Sequence, residues 1–274
     1  MEEIINNLEV SDKTKNVYLS LIKRLERDKF KFPLKTPQKE NYVKEYLTQY
    51  PKFSTRLDLL NIVVVIRNAK DLKTDKLKDL RKTFQKIRID ENIEALNEKR
   101  KDLLTLEQFK EELETAYNQK QWKKYIVNYL WSNYGVRNKD VDVEIVMSRK
   151  KMTDENNNYL WRYNKGVKWI RNNYKTSRTY GKQEILITDP SFINAVKSHK
   201  EGKVLEGNQI GNALRKLMIN KMSEADVFKM LIDNSYYKED TEKINELSKF
   251  RGTNIETILN FYNVNKKKEV IREM

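Results

Sequence analysis

The distribution of glycine divides this chain into two parts with different expected structures. All seven glycines of the 274-residue sequence lie at Gly135 or later, so the first 134 residues contain none. Glycine is the usual residue of tight turns and β-bulges, because it adopts left-handed backbone conformations at little steric cost. The first part therefore predicts helices, and a β-sheet is expected only after Gly135.

Four segments of the glycine-free part have the apolar spacing of helices. In the first segment Leu21 and Leu25 belong to one apolar stripe, and Ser11 or Asp12 is the expected N-cap. The fourth segment is strongly basic. The four predicted helices span residues 11–28, 39–50, 53–70 and 74–88.

The third of these segments has two possible structures. Its three consecutive valines at 63–65 are β-branched, which is compatible with a strand. The periodic Leu57 and Leu60, with basic residues on either side, favour a buried helix instead. For that helix Ser54 or Thr55 is the expected N-cap.

A change of texture follows the fourth helix. Residues 89–104 are rich in charge and poor in apolar periodicity, so we interpret them as a linker that is partly helical. Helical spacing returns over 104–118, where Thr105 is the expected N-cap. An aromatic-rich helix is then predicted to end at Gly135, a residue type common just past helix C-termini.

Beyond Val141 the sequence has the character of a small sheet. Short segments rich in Val, Ile, Tyr and Trp alternate with polar turns, which is typical of strands. From Pro190 to the end the pattern is helical again. The predicted strands are VDVEIVM, YLWRY, VKWIRNNY and QEILIT.

Together these patterns predict a mainly α protein of two domains. The expected N-terminal domain, residues 1–88, is all-helical and is followed by the linker at 89–104. The expected C-terminal domain, residues 105–274, is α+β with a small antiparallel sheet.

The charge balance points to a polyanionic partner. The formal net charge is +15 and the isoelectric point is about 9.5. Nucleic acid is the first candidate partner and an anionic membrane surface the second. No apolar run is long enough to span a bilayer, and the N-terminus lacks the basic and apolar regions of a secretion signal. We therefore expect an intracellular protein.

The residue inventory excludes several kinds of chemistry. Cysteine is absent and His199 is the single histidine, so neither a thiolate nor a histidine metal site is expected. We interpret His199 as an ordinary loop or helix-end residue. No Gly-rich loop of the Walker or dinucleotide type is present, so we expect no cofactor.

Four residues in the second half are candidates for chemistry: Arg137, Lys175, Arg215 and Tyr262. Each also has an ordinary interpretation. Arg137 is then a surface arginine paired with Asp140, Lys175 and Arg215 are solvated charges, and Tyr262 packs on an apolar helix face. Their order along the chain favours the functional interpretation.

The segments YGVRNKD, NALR and RGTNIETILNFYNV resemble the motifs of the tyrosine recombinase (phage integrase) family. The resemblance implies that Arg137 and Arg215 are the two arginines that bind the scissile phosphate. It implies that Lys175 is the hairpin lysine and that Tyr262 is the nucleophile. Asp140 stands at an acidic position where that family usually has glutamate.

The sequence departs from the family at both histidine positions. Asn212 stands at the first and Thr253 at the second, and both side chains retain the ability to hydrogen-bond a phosphate oxygen. We therefore include Asn212 and Thr253 in the predicted catalytic site.

The resemblance implies a site-specific recombinase or integrase that cuts and rejoins double-stranded DNA through a 3′-phosphotyrosine intermediate. It implies a core-binding role for the N-terminal helices, a homo-oligomer, specifically a tetramer, on DNA, and no need for metal or ATP. The Lys, Asn and Ile content hints at an AT-rich viral or mobile-element genome. One alternative is a catalytically inactive DNA-binding protein on the same scaffold, favoured by the two altered histidine positions. Another is a helical scaffold or RNA-binding protein whose motif matches are accidental.

Overall fold

The computed structural model describes residues 1–32, 39–177, 181–207 and 210–264. It divides into two compact units, residues 1–92 and 93–274. The helices are α1 (Glu2–Asn6), α2 (Asp12–Arg27), α3 (Lys39–Thr48), α4 (Phe53–Asn68), α5 (Asp75–Arg100), α6 (Leu106–Asn118), α7 (Trp122–Tyr134), α8 (Pro190–Ser198), α9 (Ile210–Arg215), α10 (Glu224–Tyr237), α11 (Thr241–Arg251) and α12 (Ile255–Phe261). The strands are β1 (Val143–Val146), β2 (Asn158–Tyr163), β3 (Gly166–Arg171), β4 (Gln183–Ile187) and β5 (Gly202–Lys203).

Every regular element described in the first unit is a helix, as predicted. Ser11 caps α2, because its Oγ accepts a hydrogen bond from the Thr14 backbone N–H at 3.2 Å. The valine-rich segment is helical and forms α4, which buries seven side chains. These pack with residues of α2, α3 and α5 into one apolar core.

The N-cap of α4 differs from the prediction, although the helix begins at the predicted residue. The helix begins at Phe53 with Lys52 as its N-cap, so Ser54 and Thr55 lie in the first turn instead of capping it. Phe53 packs edge-on against Phe84 of α5, with ring centroids 5.6 Å apart. This apolar contact places Phe53 inside the helix and moves the start ahead of the two hydroxyl residues.

The segment predicted as a linker is largely regular. Residues 89–100 continue α5, and the boundary between the two compact units falls after Asn92. The predicted domain limits at 88 and 105 therefore lie on either side of this boundary.

The second unit begins with two helices whose ends match the sequence signals. Thr105 caps α6 in a capping box with Gln108, as each side chain bonds the other's backbone N–H. Gly135 ends α7 in the left-handed conformation, at φ 61° and ψ 24°. All seven residues from Tyr125 to Trp131 are buried, so α7 is enclosed on every side.

The sheet is mixed, whereas an antiparallel sheet was predicted. Its strand order is β4-β3-β2-β1-β5, and three of the four pairings are antiparallel. β1 and β2 pair in parallel, with Val143 opposite Asn158. The connection over 147–157, which includes a 3₁₀ turn at Arg149–Lys151, returns the chain to the start of β1. A tight turn would have reversed the chain direction and made this pair antiparallel.

The sheet and helices of the second unit share one core. Trp169 of β3, Phe192 of α8 and Trp131 of α7 are among its fully buried members. Two helices at the end of the chain, α10 and α11, pack against one another, and α10 also packs on α7. The loop after α7 is thereby brought to the C-terminal helices. Within the described ranges, no helix is both long and apolar enough to cross a membrane.

Gly135→Ala is expected to destabilise the second unit more than an ordinary turn substitution. A left-handed non-glycine residue costs roughly 1–2 kcal/mol. A Cβ at this position would also lie 2.8 Å from Leu247 Cδ2 and 2.9 Å from Phe228 Cδ2, which adds about 1–3 kcal/mol of overpacking. Urea denaturation of the purified variant measures the loss.

Gly181→Ala is the matched control. Gly181 has φ of +70°, and its Cβ would meet no atom within 4 Å. Only the backbone term applies there, so equal losses for the two variants would contradict the close packing at Gly135.

Candidate active site

The loop after α7 is closed by Asp140. This carboxylate is 2% exposed, and its Oδ2 accepts the Arg137 backbone N–H at 2.8 Å. The Asp140 N–H in turn donates to the Arg137 carbonyl at 2.9 Å. Asp140 thus binds the main chain of Arg137, and its charge is matched by a different arginine.

That partner is Arg171, the last residue of β3. Its Nη2 lies 2.6 Å from Asp140 Oδ1 and 3.0 Å from the Phe250 carbonyl oxygen. Its Nη1 donates to Gln183 Oε1 at 2.7 Å. Arg171 is 1% exposed and therefore joins three separate segments inside the protein.

Sequence reasoning missed Arg171, although a signal was present. Val167, Trp169 and Arg171 alternate along β3 and all three point to the buried side. A charged residue in phase with two core residues needs a buried partner, and the acidic Asp140 is that partner.

The Arg137 guanidinium reaches the turn between α11 and α12. Its Nη2 donates to Thr253 Oγ1 at 2.7 Å, and its Nη1 donates to the backbone carbonyl of Arg251. Burial lowers the pKa of Arg137, and the positive charge of Arg251 acts in the same direction. Two predicted site residues, Arg137 and Thr253, are therefore in direct contact across the fold.

Arg251 itself is 3% exposed and was not recognised from the sequence. Its Nη1 donates to the Gly135 carbonyl at 3.0 Å. Its Nη2 lies 2.5 Å from Glu224 Oε1, in an ion pair without the alignment of a good hydrogen bond. The guanidinium carbon lies 3.9 Å from the centroid of the Phe228 ring.

Tyr262 directly follows α12 and turns back onto this cluster. Asn254 caps α12 by accepting the Thr257 N–H at 2.8 Å, and the Tyr262 N–H bonds the Ile258 carbonyl at 2.9 Å. The half-buried ring meets Phe228 edge-on, with centroids 4.9 Å apart. Its hydroxyl lies 3.4 Å from Arg251 Nη2. Tyr262 therefore packs on the core and also presents its hydroxyl to a cation.

Lys175 lies in the turn between β3 and β4 and is exposed. The next residue, Thr176, packs closely against Gly252. A Cβ added at Gly252 would lie 2.2 Å from Thr176 Oγ1. Gly252 has φ of +58°, which independently favours glycine. The hairpin that carries Lys175 thus touches the same turn that Arg137 binds.

The remaining two predicted residues are on α9. Asn212 and Arg215 are both exposed, and Asn212 lines a cavity of about 560 Å³ with Lys123 and Glu206. Among the residues that the structure describes, no hydrogen bond or ion pair joins Arg215 to Arg137 or Tyr262. The structure therefore gathers Arg137, Thr253 and Tyr262 but does not bring Arg215 into contact with them.

His199 is the C-cap of α8, and its Nδ1 lies 2.6 Å from the Lys200 carbonyl oxygen. Burial lowers its pKa. It occupies the helix end that was predicted for it.

Comparisons with known proteins give one weak likeness. No protein-family model matches the chain, and no curated protein matches its sequence. A solved structure described as the crystal structure of XerA recombinase is similar over 96% of this chain and 91% of that chain. The identity is 12% and the TM-score is 0.37, a likeness too weak to assign a family.

Arg171→Leu is expected to cost about 3–5 kcal/mol of unfolding free energy, because it leaves the buried Asp140 carboxylate without its partner. Adding Asp140→Asn removes that charge and should recover part of the loss. Chemical denaturation of the single and double variants measures both effects.

Lys101→Ala is the control for this pair. Lys101 and Glu98 form an ion pair whose side chains are 71% and 75% exposed, so its loss should stay within about 1 kcal/mol. A similar small effect for Arg171→Leu would show that the Asp140 contact does not stabilise the fold.

Proposed function

We propose that this chain is a site-specific DNA recombinase or integrase that cuts and rejoins duplex DNA through a 3′-phosphotyrosine bond at Tyr262. The observation that carries the proposal is the cluster at the end of α11. Arg137 bonds Thr253 at 2.7 Å although 116 positions separate them, and the Tyr262 hydroxyl adjoins the same segment through Arg251. The motif resemblance, which is independent of these contacts, assigns roles to the same three residues, Arg137, Thr253 and Tyr262.

The proposed cleavage step is an in-line displacement at phosphorus. The Tyr262 oxygen forms a bond to the scissile phosphorus as the bond to the 5′ oxygen breaks. The phenolic proton passes to solvent, and Lys175 gives a proton to the departing 5′ oxygen. Rejoining runs the same steps in reverse with a 5′ hydroxyl as the nucleophile, and no oxidant or nucleotide is consumed.

Arg137 is suited to stabilise the charge that grows on the phosphate oxygens. Its guanidinium is planar and keeps its charge, and it presents paired donors in a fixed geometry. We assign the second such arginine to Arg215 and hydrogen-bonding roles to Asn212 and Thr253. Arg215 is exposed on the short helix α9, so its guanidinium is accessible to a phosphate of bound DNA.

Double-stranded DNA is the proposed partner. Along α5, Leu77, Leu80 and Phe84 are buried. Over residues 75–88 four basic side chains outnumber Asp75 and Asp79 on the exposed face. The four basic residues are Lys76, Lys82, Lys86 and Arg88. A basic helix face of this kind neutralises phosphates without reading sequence. We propose residues 1–88 as the core-binding domain, 105–274 as the catalytic domain and a tetramer on DNA.

A second candidate function is an inactive DNA-binding protein on the same scaffold. It is favoured by the partners of Arg137, since both Nη atoms are bonded to protein oxygens. These two bonds use two of the five N–H donors of the guanidinium, so a catalytic Arg137 must offer the remaining donors to a phosphate oxygen. Covalent trapping on DNA separates the two candidates.

Tyr262→Phe is expected to abolish covalent trapping on a nicked suicide duplex. Only the hydroxyl is removed, and the ring contact with Phe228 remains, so folding and DNA affinity should be unchanged. The adduct is measured on a denaturing gel, and the affinity by titration of labelled duplex. Tyr236→Phe is the control, because Tyr236 is 48% exposed near the end of α10. A wild-type protein that binds DNA but never forms the adduct would support the inactive candidate.

Arg215→Ala is expected to slow adduct formation by about 10²–10³-fold, the typical effect of losing one donor to transition-state charge. Its stability should be unchanged, because Arg215 is exposed. The single-turnover rate at saturating DNA is the measurement. Lys216→Ala, on the next and equally exposed residue, should retain the wild-type rate. An Arg215 variant as fast as wild type would exclude Arg215 from the site.

A further inference from the structure

The half-buried Tyr262 side chain contacts a group of side chains that have no role in the proposed chemistry. Arg251 lies against its ring, with the guanidinium carbon 4.9 Å from the ring centroid, and Phe228 meets the ring edge. Glu224 holds the guanidinium from the other side at 2.5 Å. Three residues from α10 and α11 therefore define where the Tyr262 hydroxyl lies.

We propose that Arg251 is a positioning residue that holds the Tyr262 hydroxyl beside Arg137 of the same chain. The inference rests on the proposed function of Tyr262 as nucleophile. Arg251 contacts both sides of the reaction centre: its carbonyl accepts Arg137 Nη1, and its own Nη2 lies 3.4 Å from the Tyr262 oxygen.

Burial excludes the simpler role of a phosphate ligand for Arg251. The side chain is 3% exposed, and its two Nη atoms face the Gly135 carbonyl, Glu224 and Tyr262. No face of the guanidinium is open to DNA in this arrangement. Arg251 therefore acts on the reaction through Tyr262 and Arg137.

The ion pair with Glu224 does not by itself explain why the position is charged. Replacing a buried ion pair with apolar side chains of similar volume is often neutral or stabilising, because desolvation of two charges offsets their attraction. Arg251 lies over the ring of Phe228, a member of the apolar core. What an apolar residue would lack is a donor to the Gly135 carbonyl and to the tyrosine oxygen.

The test uses a double variant, because Arg251→Met alone leaves Glu224 buried without its partner and endangers folding. Combining Arg251→Met with Glu224→Gln removes both charges and retains the side-chain volumes. Thermal unfolding, the half-saturating DNA concentration and the single-turnover rate of adduct formation are measured for each protein. The single Glu224→Gln variant retains an oxygen for Arg251 and should react at close to the wild-type rate.

We expect the double variant to fold and to keep its half-saturating DNA concentration, while its rate falls by about 10²-fold, the scale for a nucleophile displaced by roughly 1 Å. Arg251→Lys should give an intermediate rate, since it keeps the charge but lacks the planar fork. Lys249→Met, on an exposed residue of the same helix, is the matched control. A folded double variant that reacts at the wild-type rate would overturn the proposal.

A second readout does not depend on cleavage. With 3-fluorotyrosine placed at position 262, the ¹⁹F resonance of the DNA-free protein reports the surroundings of the hydroxyl. The double variant should shift or broaden this resonance, and Lys249→Met should not. An unchanged resonance refutes the role of Arg251 even if the wild type cuts DNA. If the double variant shifts the resonance but the wild type never forms an adduct, Tyr262 is not the nucleophile. The contact between Arg251 and Tyr262 is then still supported.

Discussion

Two buried arginines and a third that is partly exposed join the parts of the second unit that carry the candidate site. Arg171 bonds the loop after α7 to the end of α11, and Arg251 bonds that loop from the opposite direction through the Gly135 carbonyl. Arg137 completes the connection by binding the Arg251 carbonyl and Thr253. The buried carboxylate of Asp140 and the partly exposed carboxylate of Glu224 offset part of the charge. The position of Tyr262 depends on this network, because α12 has only seven residues and begins where the network ends.

Most of the helical architecture was predictable because its signals are local. Capping side chains at Ser11 and Thr105 and the left-handed Gly135 fix helix ends through contacts within a few residues. The parallel pairing of β1 and β2 was not predictable in this way. Alternation indicates which face of a strand is buried, but it does not encode which neighbour the strand pairs with or in which direction. The N-cap of α4 was wrongly predicted for a related reason, since a distant ring contact outweighed the local cap preference.

The residues of the candidate site likewise differ in whether the sequence alone points to them. Arg137, Thr253 and Tyr262 were identified from the order of motifs, whereas Arg251 and Glu224 were not. Their importance arises only when α10 and α11 pack together, and a charged residue at a helix end is ordinarily solvated. The catalytic roles of all six residues stay predictions: Arg137, Lys175, Asn212, Arg215, Thr253 and Tyr262.

The bonds that Arg137 makes within the protein have a thermodynamic consequence for binding an anion. A free arginine side chain has about 2 kcal/mol of rotamer entropy to lose when it is immobilised. Here that entropy is lost when the chain folds, because Thr253 and the Arg251 carbonyl already fix the guanidinium. A phosphate oxygen bound by the remaining N–H donors would add a charge-assisted hydrogen bond without immobilising the side chain further. Selectivity at such a site then comes from the fixed direction of the fork, which admits a tetrahedral anion only in the orientation that its remaining donors allow.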